Sequence, residues 1–584
     1  MRSFFKTMAA CLLALVLFAI VVFFFMIAVV GNITRKEVPQ VRSGSVLVIN
    51  LAQTFAELEK NNPLDMLRED ESTAPGLYDV VRLIRNAASD NRITGIYLQA
   101  NGNGNGYAAS EEIRNALESF KAAGKFVIAH ADIYSQEAYD VATVASELYL
   151  HPKGFLQFSG YSVTYVFFKG LLDKLQIQPQ IFYAGKFKSA TEPFRAEKMT
   201  DENRLQTAVW MNDLYDGFLL RTAMARSQDT ALLRKLAVEG LVQTAEDAMQ
   251  YKLVDQLKYD DEVKDEIKAR LNLDKYERIE FVTLSNYWAA NPRNSSGDKI
   301  AMIVAEGNIV DGKAAQGTIG GETYRNLIRK ARLDQSVKAI VVRINSGGGS
   351  ALASETIWRE MALAKQDKPV IVSFGDVAAS GGYYMAVAAD SIFALPTTIT
   401  GSIGVFGMLP NMESFFKNKL GVTFDAVRTS PYADAGAVYR PLNENEKKMM
   451  QASIDLIYDQ FKNRVAQGRK MELNVVDSIA QGRVWTGKRA IDIGLIDRFG
   501  GVEDAIKSAA AMAKLENYHV AVYPEPETLL EQIFGKSEPM SFRDQMKNEL
   551  GEEQYRIYEE LRNIREWSGA QARWPFVILR AGGK

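Results

Sequence analysis

Ser380 has the surroundings that best suit a nucleophile. It lies within residues 376–383 (Asp-Val-Ala-Ala-Ser-Gly-Gly-Tyr), which follow an apolar stretch typical of a buried strand and begin a helical pattern. A serine at such a turn, with small neighbours, exposes its hydroxyl. The N–H groups that follow it lie at the positive end of the helix, where an oxyanion is stabilised. This pattern predicts acyl-transfer chemistry at Ser380.

A glycine run, Gly347–Gly349, ends the preceding predicted strand of the same half. If the two strands are parallel neighbours, this loop could aim a second N–H donor at the same space. Either glycine cluster taken alone is also compatible with an ordinary tight turn. Two of them at successive strand ends favour a site, because binding sites in open parallel sheets gather at the carboxyl ends of the strands.

A serine hydroxyl is a weak nucleophile and needs a base within hydrogen-bond reach. The chain has three histidines, His130, His151 and His519, and none falls at a strand end in the C-terminal half. Lysine is the more economical base, provided that burial lowers its pKa from about 10.4 to about 7 or 8.

Two lysines are candidates for this base. Lys186 and Lys188 follow the apolar stretch Gln180–Tyr183 in the N-terminal half. Residues two apart share one face of an extended segment, so spacing alone does not choose between them.

Composition argues against several other kinds of chemistry. The net charge is -2, from 69 basic and 71 acidic residues, and gives no reason to expect a nucleic-acid partner. The single cysteine, Cys11, provides neither a disulfide nor a thiolate site. The histidines lack the short helical spacing of metal ligands, so we expect no metal and no cofactor.

An apolar run at residues 8–30 predicts a transmembrane anchor after a short cytoplasmic segment, 1–7. At about 1.5 Å per residue this run spans a hydrocarbon core of about 30 Å. A cleaved signal peptide is the alternative, but the run is long for one and Gly31–Thr34 is a poor cleavage site. The basic residues flanking the run favour, by a narrow margin, an N-terminus inside the cytoplasm and all later residues outside it.

The chain also repeats itself at a shift of about 240 to 245 residues, which indicates an internal duplication. The matched segments are 92–98 with 337–344, 109–121 with 354–364, 125–129 with 368–372, and 240–255 with 482–497. In each copy short apolar strands alternate with helical segments.

That alternation predicts two α/β domains whose parallel strands are buried under helices. We expect them to span 44–290 and 298–525, with the polar linker 291–297 between them. The remaining residues, 526–584, form a charged tail that packs on a neighbour, lies on the membrane or is loosely ordered.

Three motifs carry a resemblance to a known family. They are Gly-x-x-Lys-Ser-Ala-x-Glu-Pro-Phe at 185–194, Ala-Ala-Ser-Gly-Gly-Tyr at 378–383 and Thr-Gly-Ser-Ile-Gly-x-Phe-Gly at 400–407. The chain resembles the signal peptide peptidase A family, also called protease IV, in its long duplicated (67-kDa-type) form, from the apolar run to about residue 525. The resemblance implies two tandem domains with the fold of Clp protease and the crotonases.

The resemblance also implies roles for the motif residues. The serine of the second motif is the family's nucleophile, here Ser380, and the lysine before Ser-Ala is its general base, here Lys188. The serine of the third motif, here Ser402, is implied to orient that lysine. The choice between Lys186 and Lys188 is thus made by the resemblance.

The oxyanion hole is implied to use Gly348 or Gly349 together with Gly381. In this loop Gly347 stands where the family usually has proline. Because glycine is more flexible than proline, we expect a less preorganised loop.

The duplication is consistent with this assignment of roles. The first-copy counterpart of Ser380 is about Ser135, where both following glycines are gone, and the second-copy counterpart of Lys188 is near Ala433. Each copy therefore keeps one member of the pair, as complementary decay of a duplicated enzyme would leave.

The sequence predicts a membrane-anchored serine endopeptidase that acts on extended apolar peptides. By resemblance, its substrates are cleaved signal peptides, it forms a homo-oligomer, a tetramer, and it lies in the bacterial inner membrane with both domains on the periplasmic side. Two alternatives are an inactive peptide-binding scaffold of the same fold and a crotonase-like acyl-CoA enzyme, which the anchor disfavours.

Overall fold

A computed structural model describes residues 7–8, 13–15, 17–18, 21, 39–59, 75–315, 317–525 and 570–573. Within these ranges no helix combines the length and apolar character needed to cross a bilayer. Most of the predicted anchor, 8–30, lies outside the described residues, as does most of the predicted tail, 526–584.

The described chain contains short strands and helices in alternation. In chain order the strands are β1 (Ser45–Asn50), β2 (Ile93–Gln99), β3 (Phe126–Tyr134), β4 (Glu147–Leu156), β5 (Gln178–Ala184), β6 (Gln256–Leu257), β7 (Phe281–Thr283), β8 (Asp298–Glu306), β9 (Asn308–Val310), β10 (Thr318–Gly320), β11 (Val337–Ser346), β12 (Gly348–Ser350), β13 (Val370–Ala379), β14 (Ser391–Ala394), β15 (Ile399–Gly401), β16 (Val405–Asn411), β17 (Val484–Thr486), β18 (Arg498–Phe499), β19 (Tyr518–Tyr523) and β20 (Ala570–Arg573). The α-helices are α1 (Leu77–Ser89), α2 (Tyr107–Ala122), α3 (Gln136–Ala142), α4 (Lys169–Leu175), α5 (Glu192–Arg195), α6 (Asp201–Arg226), α7 (Thr230–Val238), α8 (Ala245–Gln250), α9 (Asp260–Leu271), α10 (Leu284–Ala290), α11 (Gly321–Leu333), α12 (Ala351–Asp367), α13 (Gly381–Ala386), α14 (Glu413–Phe415), α15 (Glu444–Arg469), α16 (Leu473–Ile479), α17 (Gly487–Ala490) and α18 (Val502–Met512).

Two of the three sheets repeat one topology. The first has the order β6-β4-β3-β2-β1-β7, and all of its strand pairs are parallel. The second contains the path β18-β14-β13-β11-β8-β19, also parallel. Strand β15 adds beside β13, and β17 pairs antiparallel with β15. The predicted α/β class with two parallel-sheet domains from a duplication is therefore confirmed.

Burial explains why these segments form strands and helices. Strand β11 is apolar along most of its length and is buried on both faces, as a parallel strand under helices must be. Helix α1 buries Leu77, Val80, Ile84 and Ala87, whose spacing places them on one face toward the first core.

The third sheet joins the two halves of the chain. Its order is β10-β9-β12-β20-β16-β5. Strand β5 comes from the first half, yet all seven residues of β16 in the second half pair with it antiparallel, from Val405 opposite Ala184 to Asn411 opposite Gln178. The segment that follows β5, which contains Lys188, is thereby held against the half that contains Ser380.

Candidate active site

Ser380 lies at the turn from β13 into α13 in an unusual backbone conformation. Its φ is 56° and its ψ is -115°, a combination that costs a non-glycine residue about 1–3 kcal/mol. The turn is held on both sides, since the Ser380 N–H donates to the Gly401 carbonyl at 2.8 Å and the Tyr384 N–H donates to the Ser380 carbonyl at 2.8 Å. The hydroxyl makes no cap hydrogen bond to α13 and is therefore available for another partner.

The equivalent serine of the first copy is used differently. Ser135 precedes α3 with an ordinary φ of -71°, and its side chain accepts a hydrogen bond from the Ala138 N–H as a helix cap. The duplicated turn thus provides a structural cap in one half and, at Ser380, a hydroxyl with no capping role in the other.

Lys188 brings its amine to this hydroxyl. The Lys188 Nζ lies 2.8 Å from Ser380 Oγ, 3.0 Å from Ser402 Oγ and 3.1 Å from the Ser402 carbonyl oxygen. All three residues are at most 1% exposed. The three residues of the predicted set are therefore in direct contact within one chain, and the other candidate, Lys186, is exposed.

The surroundings favour the neutral form of this amine. Burial lowers the pKa of Lys188 well below its usual value of 10.5, and desolvation is the cause. Its hydrogen-bond partners are a carbonyl and two hydroxyls, which do not compensate a full positive charge.

Residues that sequence reasoning did not select hold Lys188 in place. The Phe187 N–H donates to the Gln481 carbonyl at 2.8 Å, and the Gln206 amide donates to the Phe187 carbonyl at 3.1 Å. Gly482 has a φ of +73°, and a Cβ there would lie 2.7 Å from Lys188 Cβ, so a larger residue would push the lysine away. The internal repeat could have pointed to Gly482, because 482–497 matches 240–255 and both segments begin with glycine. No sequence pattern pointed to Gln206.

Ser402 is positioned by pairing between strands. Strand β15 pairs with β13, with Gly401 opposite Ala379, so that Ser402 lies beside Ser380. Ser402 has a φ of 50°, and its N–H donates to the Arg483 carbonyl at 2.7 Å. This conformation turns both its hydroxyl and its carbonyl toward the amine.

The glycine loop lies next to the serine turn. A Cβ on Gly382 would lie 2.8 Å from the Ser346 carbonyl oxygen, which shows how closely the two turns approach. Gly348 and Gly349 form the start of β12, while Gly381 is the first residue of α13. In this structure the Gly348 N–H donates to Ser346 Oγ at 3.1 Å.

Comparison with known proteins shows which family the chain belongs to. The model for peptidase family S49 matches residues 119–274 and again 362–516, one match in each half. The chain belongs to peptidase family S49. Among curated relatives, Protease 4 of Salmonella typhi is 38% identical over 467 residues, which cover 78% of this chain and 75% of that protein. The chloroplastic serine protease SPPA of Arabidopsis thaliana is 33% identical over 486 residues, 82% of this chain and 70% of the relative.

This S49 member is a serine peptidase with duplicated S49 domains. The family assignment favours the peptidase over the acyl-CoA alternative that the sequence left open. Among solved structures, a mutant of ClpP1 from Listeria monocytogenes covers 35% of this chain and 94% of its own at 14% identity, with a TM-score of 0.24. That likeness is too low to support an inference about function.

Proposed function

We propose that this S49 peptidase cleaves peptide bonds with a dyad in which Ser380 is the nucleophile and Lys188 the general base. The single observation that carries the proposal is the 2.8 Å distance between a fully buried amine and the Ser380 hydroxyl. A base must lie within hydrogen-bond reach of the proton that it takes, and its pKa must lie near the working pH. The burial and geometry of Lys188 support both requirements.

The hydrogen-bonding groups of a neutral lysine match the three oxygen atoms around Lys188 Nζ. A neutral amine has two N–H donors and one lone pair. The two N–H bonds suit the Ser402 carbonyl and hydroxyl oxygens, which leaves the lone pair to accept the Ser380 O–H. In this proposal Ser402 is a positioning residue, because it fixes the direction of the lone pair.

The reaction then proceeds in two stages. Ser380 Oγ attacks the peptide carbonyl while its proton passes to Lys188 Nζ, and the ammonium returns that proton to the leaving amine as the C–N bond breaks. In the second stage a water molecule loses a proton to the neutral Lys188 and attacks the ester. The acyl group leaves as a carboxylic acid, and Ser380 regains its proton.

The oxyanion formed in each stage needs N–H donors. We propose Gly381, at the start of α13, with Gly348 or Gly349 of the glycine loop. Because the Gly348 N–H is now bonded to Ser346 Oγ, an oxyanion at Gly348 would replace that hydroxyl as its acceptor.

For the substrate we propose an extended apolar peptide, of the kind left by signal-peptide cleavage. Strands β12 and β16 flank the region beside Ser380 and offer main-chain partners to an extended chain. Strand β16 is itself apolar, and its Phe406 and Met408 pack with Phe194 in a buried cluster. By resemblance we also propose an anchor at 8–30, extracytoplasmic domains of about 44–290 and 298–525, and a homo-oligomer.

The assignment of Ser380 is tested by Ser380→Ala in the full chain. We expect loss of both apolar-peptide hydrolysis and labelling by a fluorophosphonate, with little change in melting temperature. Ser135→Ala, the same substitution at the duplicated position, is the matched control and should keep both activities. Labelling that persists in Ser380→Ala would show that another residue is the nucleophile.

A further inference from the structure

Strand β20 lies far along the chain from the strands that it pairs with. It is the only part of residues 526–584 that the structure describes, and it lies between β12 and β16. Its pairing is antiparallel on both sides, with Gly349 opposite Ala572 on one and Phe406 opposite Gln571 on the other. A segment of the C-terminal tail therefore completes the sheet that joins the two halves.

The two neighbours of β20 are β12 and β16, the strands that flank the bound peptide in the proposed function, and the space between them is called the peptide groove. Strand β12 begins at Gly348, in the glycine loop, and β16 begins three residues after Ser402. Strand β20 also contacts helix α13, which begins directly after Ser380. An extended substrate would add to the same strand edges by main-chain hydrogen bonds.

Burial around β20 is consistent with competition between this strand and a substrate for one space. Gln571 is 4% exposed, and Ser380 is 0% exposed with β20 in place. Residue 573 lies opposite Gly348 in the register, which brings the end of the strand to the glycine loop. A substrate carbonyl must reach Ser380 through this region.

We propose that the chain's own segment Ala570–Arg573 occupies the peptide groove as an internal competitor and so restrains the peptidase. This inference rests on the proposed function of the groove and adds its regulation. Because the segment is covalently attached, it acts at an effective concentration set by the intervening residues, 526–569, and is not diluted with the enzyme. The segment holds the groove by backbone pairing, which an incoming peptide must displace.

Competition of this kind has a defined kinetic signature. Only the fraction of molecules with an empty groove binds substrate, so the apparent KM rises while kcat at saturation is unchanged. If the segment fills the groove about nine-tenths of the time, its release lowers the apparent KM about tenfold.

Ala572→Pro in the full chain, in detergent, tests the proposal. Proline has no N–H and a fixed φ, so it disrupts a strand that pairs on both sides. Ala581→Pro is the matched control, because it makes the same change in the tail outside β20. With a fluorogenic apolar peptide we expect a several-fold lower KM and an unchanged kcat for Ala572→Pro only. Equal KM values for wild type, Ala572→Pro and Ala581→Pro would overturn the proposal.

A second readout does not depend on activity. In a Ser380→Ala background, hydrogen exchange should show protected amides in β12 and β16 that lose protection when Ala572→Pro is added. If no form of the chain hydrolyses peptides, the proposed function fails, and the exchange data still report whether β20 occupies the groove. Unchanged protection on adding Ala572→Pro would show that β20 does not cover these strands.

Discussion

At the scale of single residues, the buried Lys188 lowers the stability of the folded chain at neutral pH. The unfolded chain protonates Lys188 below about pH 10.5, whereas burial favours the neutral amine in the folded chain. Because the unfolded state binds more protons, stability falls as the pH drops from about 10.5 toward the lowered pKa of Lys188.

Lys188→Met should remove this pH-dependent cost together with the activity. We expect the unfolding free energy of Lys188→Met, minus that of wild type, to increase as the pH is lowered from 10 to 8, by up to about 1.4 kcal/mol per pH unit. Urea titrations at several pH values measure the difference. Lys186→Met, at an exposed lysine two residues earlier, should show no such trend, and a flat difference for Lys188→Met would mean that the amine is charged in the folded state.

The backbone at Gly347 suits a proline, the residue that the family usually has there. Gly347 is absent from the residues with positive φ, and the residue before it, Ser346, is in a strand, which suits a following proline. Gly347→Pro should therefore raise the unfolding free energy by about 0.4–1 kcal/mol through the unfolded state. Gly349→Pro is the contrasting control, since its φ of +159° forbids proline and a Cβ there would lie 1.9 Å from the Ile309 carbonyl oxygen. A loss of stability in Gly347→Pro would show that this loop needs glycine.

At the scale of elements, β11 connects the glycine loop to the first half of the chain. Arg343 of β11 donates to Glu57 Oε2 at 2.9 Å and to Glu112 Oε1 at 2.6 Å, and all three side chains are buried. Two carboxylates share one guanidinium here. Burial, opposed by Arg343 and reinforced by Glu112, raises the pKa of Glu57 to about 7.

This cluster predicts a pH-dependent contact between the halves. Glu57 holds its proton more tightly in the folded chain than in the unfolded chain, so its contribution to stability is complete below about pH 4.5 and is lost as the pH rises through about 7. Glu57→Gln should remove that loss, which is on the order of 3 kcal/mol. Unfolding free energies at pH 5 and pH 8 measure it, with the exposed substitution Glu444→Gln as control. A wild-type pH dependence that persists in Glu57→Gln would assign it to another group.

The elements also show what the sequence could and could not predict. The predicted helices 109–121 and 354–364 are observed as α2 and α12, because apolar spacing and the repeat both report local structure. The pairing of β5 with β16 was not predicted, since β5 lies in the first copy by sequence and nothing local in it specifies a partner in the second. The same limit applies to β20, whose Ala-Gln-Ala-Arg sequence has no strong strand signal.

At the scale of the whole molecule, the site is assembled from two halves of one chain. The seven-residue pairing of β5 with β16 holds the first-half segment against the second half. A contact between Asp213 and Thr486 at 2.9 Å and the bonds from the Ala108 and Ala109 N–H groups to Asp376 also cross between them. Each chain should therefore complete its own dyad in any oligomer.

Mixed chains test this directly. If the dyad forms within one chain, co-expression of Ser380→Ala and Lys188→Met chains, purified together through two different tags, should give no more peptide hydrolysis than either variant alone. If β5 and the following segment were instead exchanged between subunits, a Ser380→Ala chain would supply Lys188 to the intact Ser380 of its partner and activity would return. Co-expressed wild-type and Ser380→Ala chains provide the control for assembly and should keep activity in proportion to the wild-type chain. Activity restored by the two inactive chains would thus contradict the intrachain site and would make oligomerisation a requirement for catalysis.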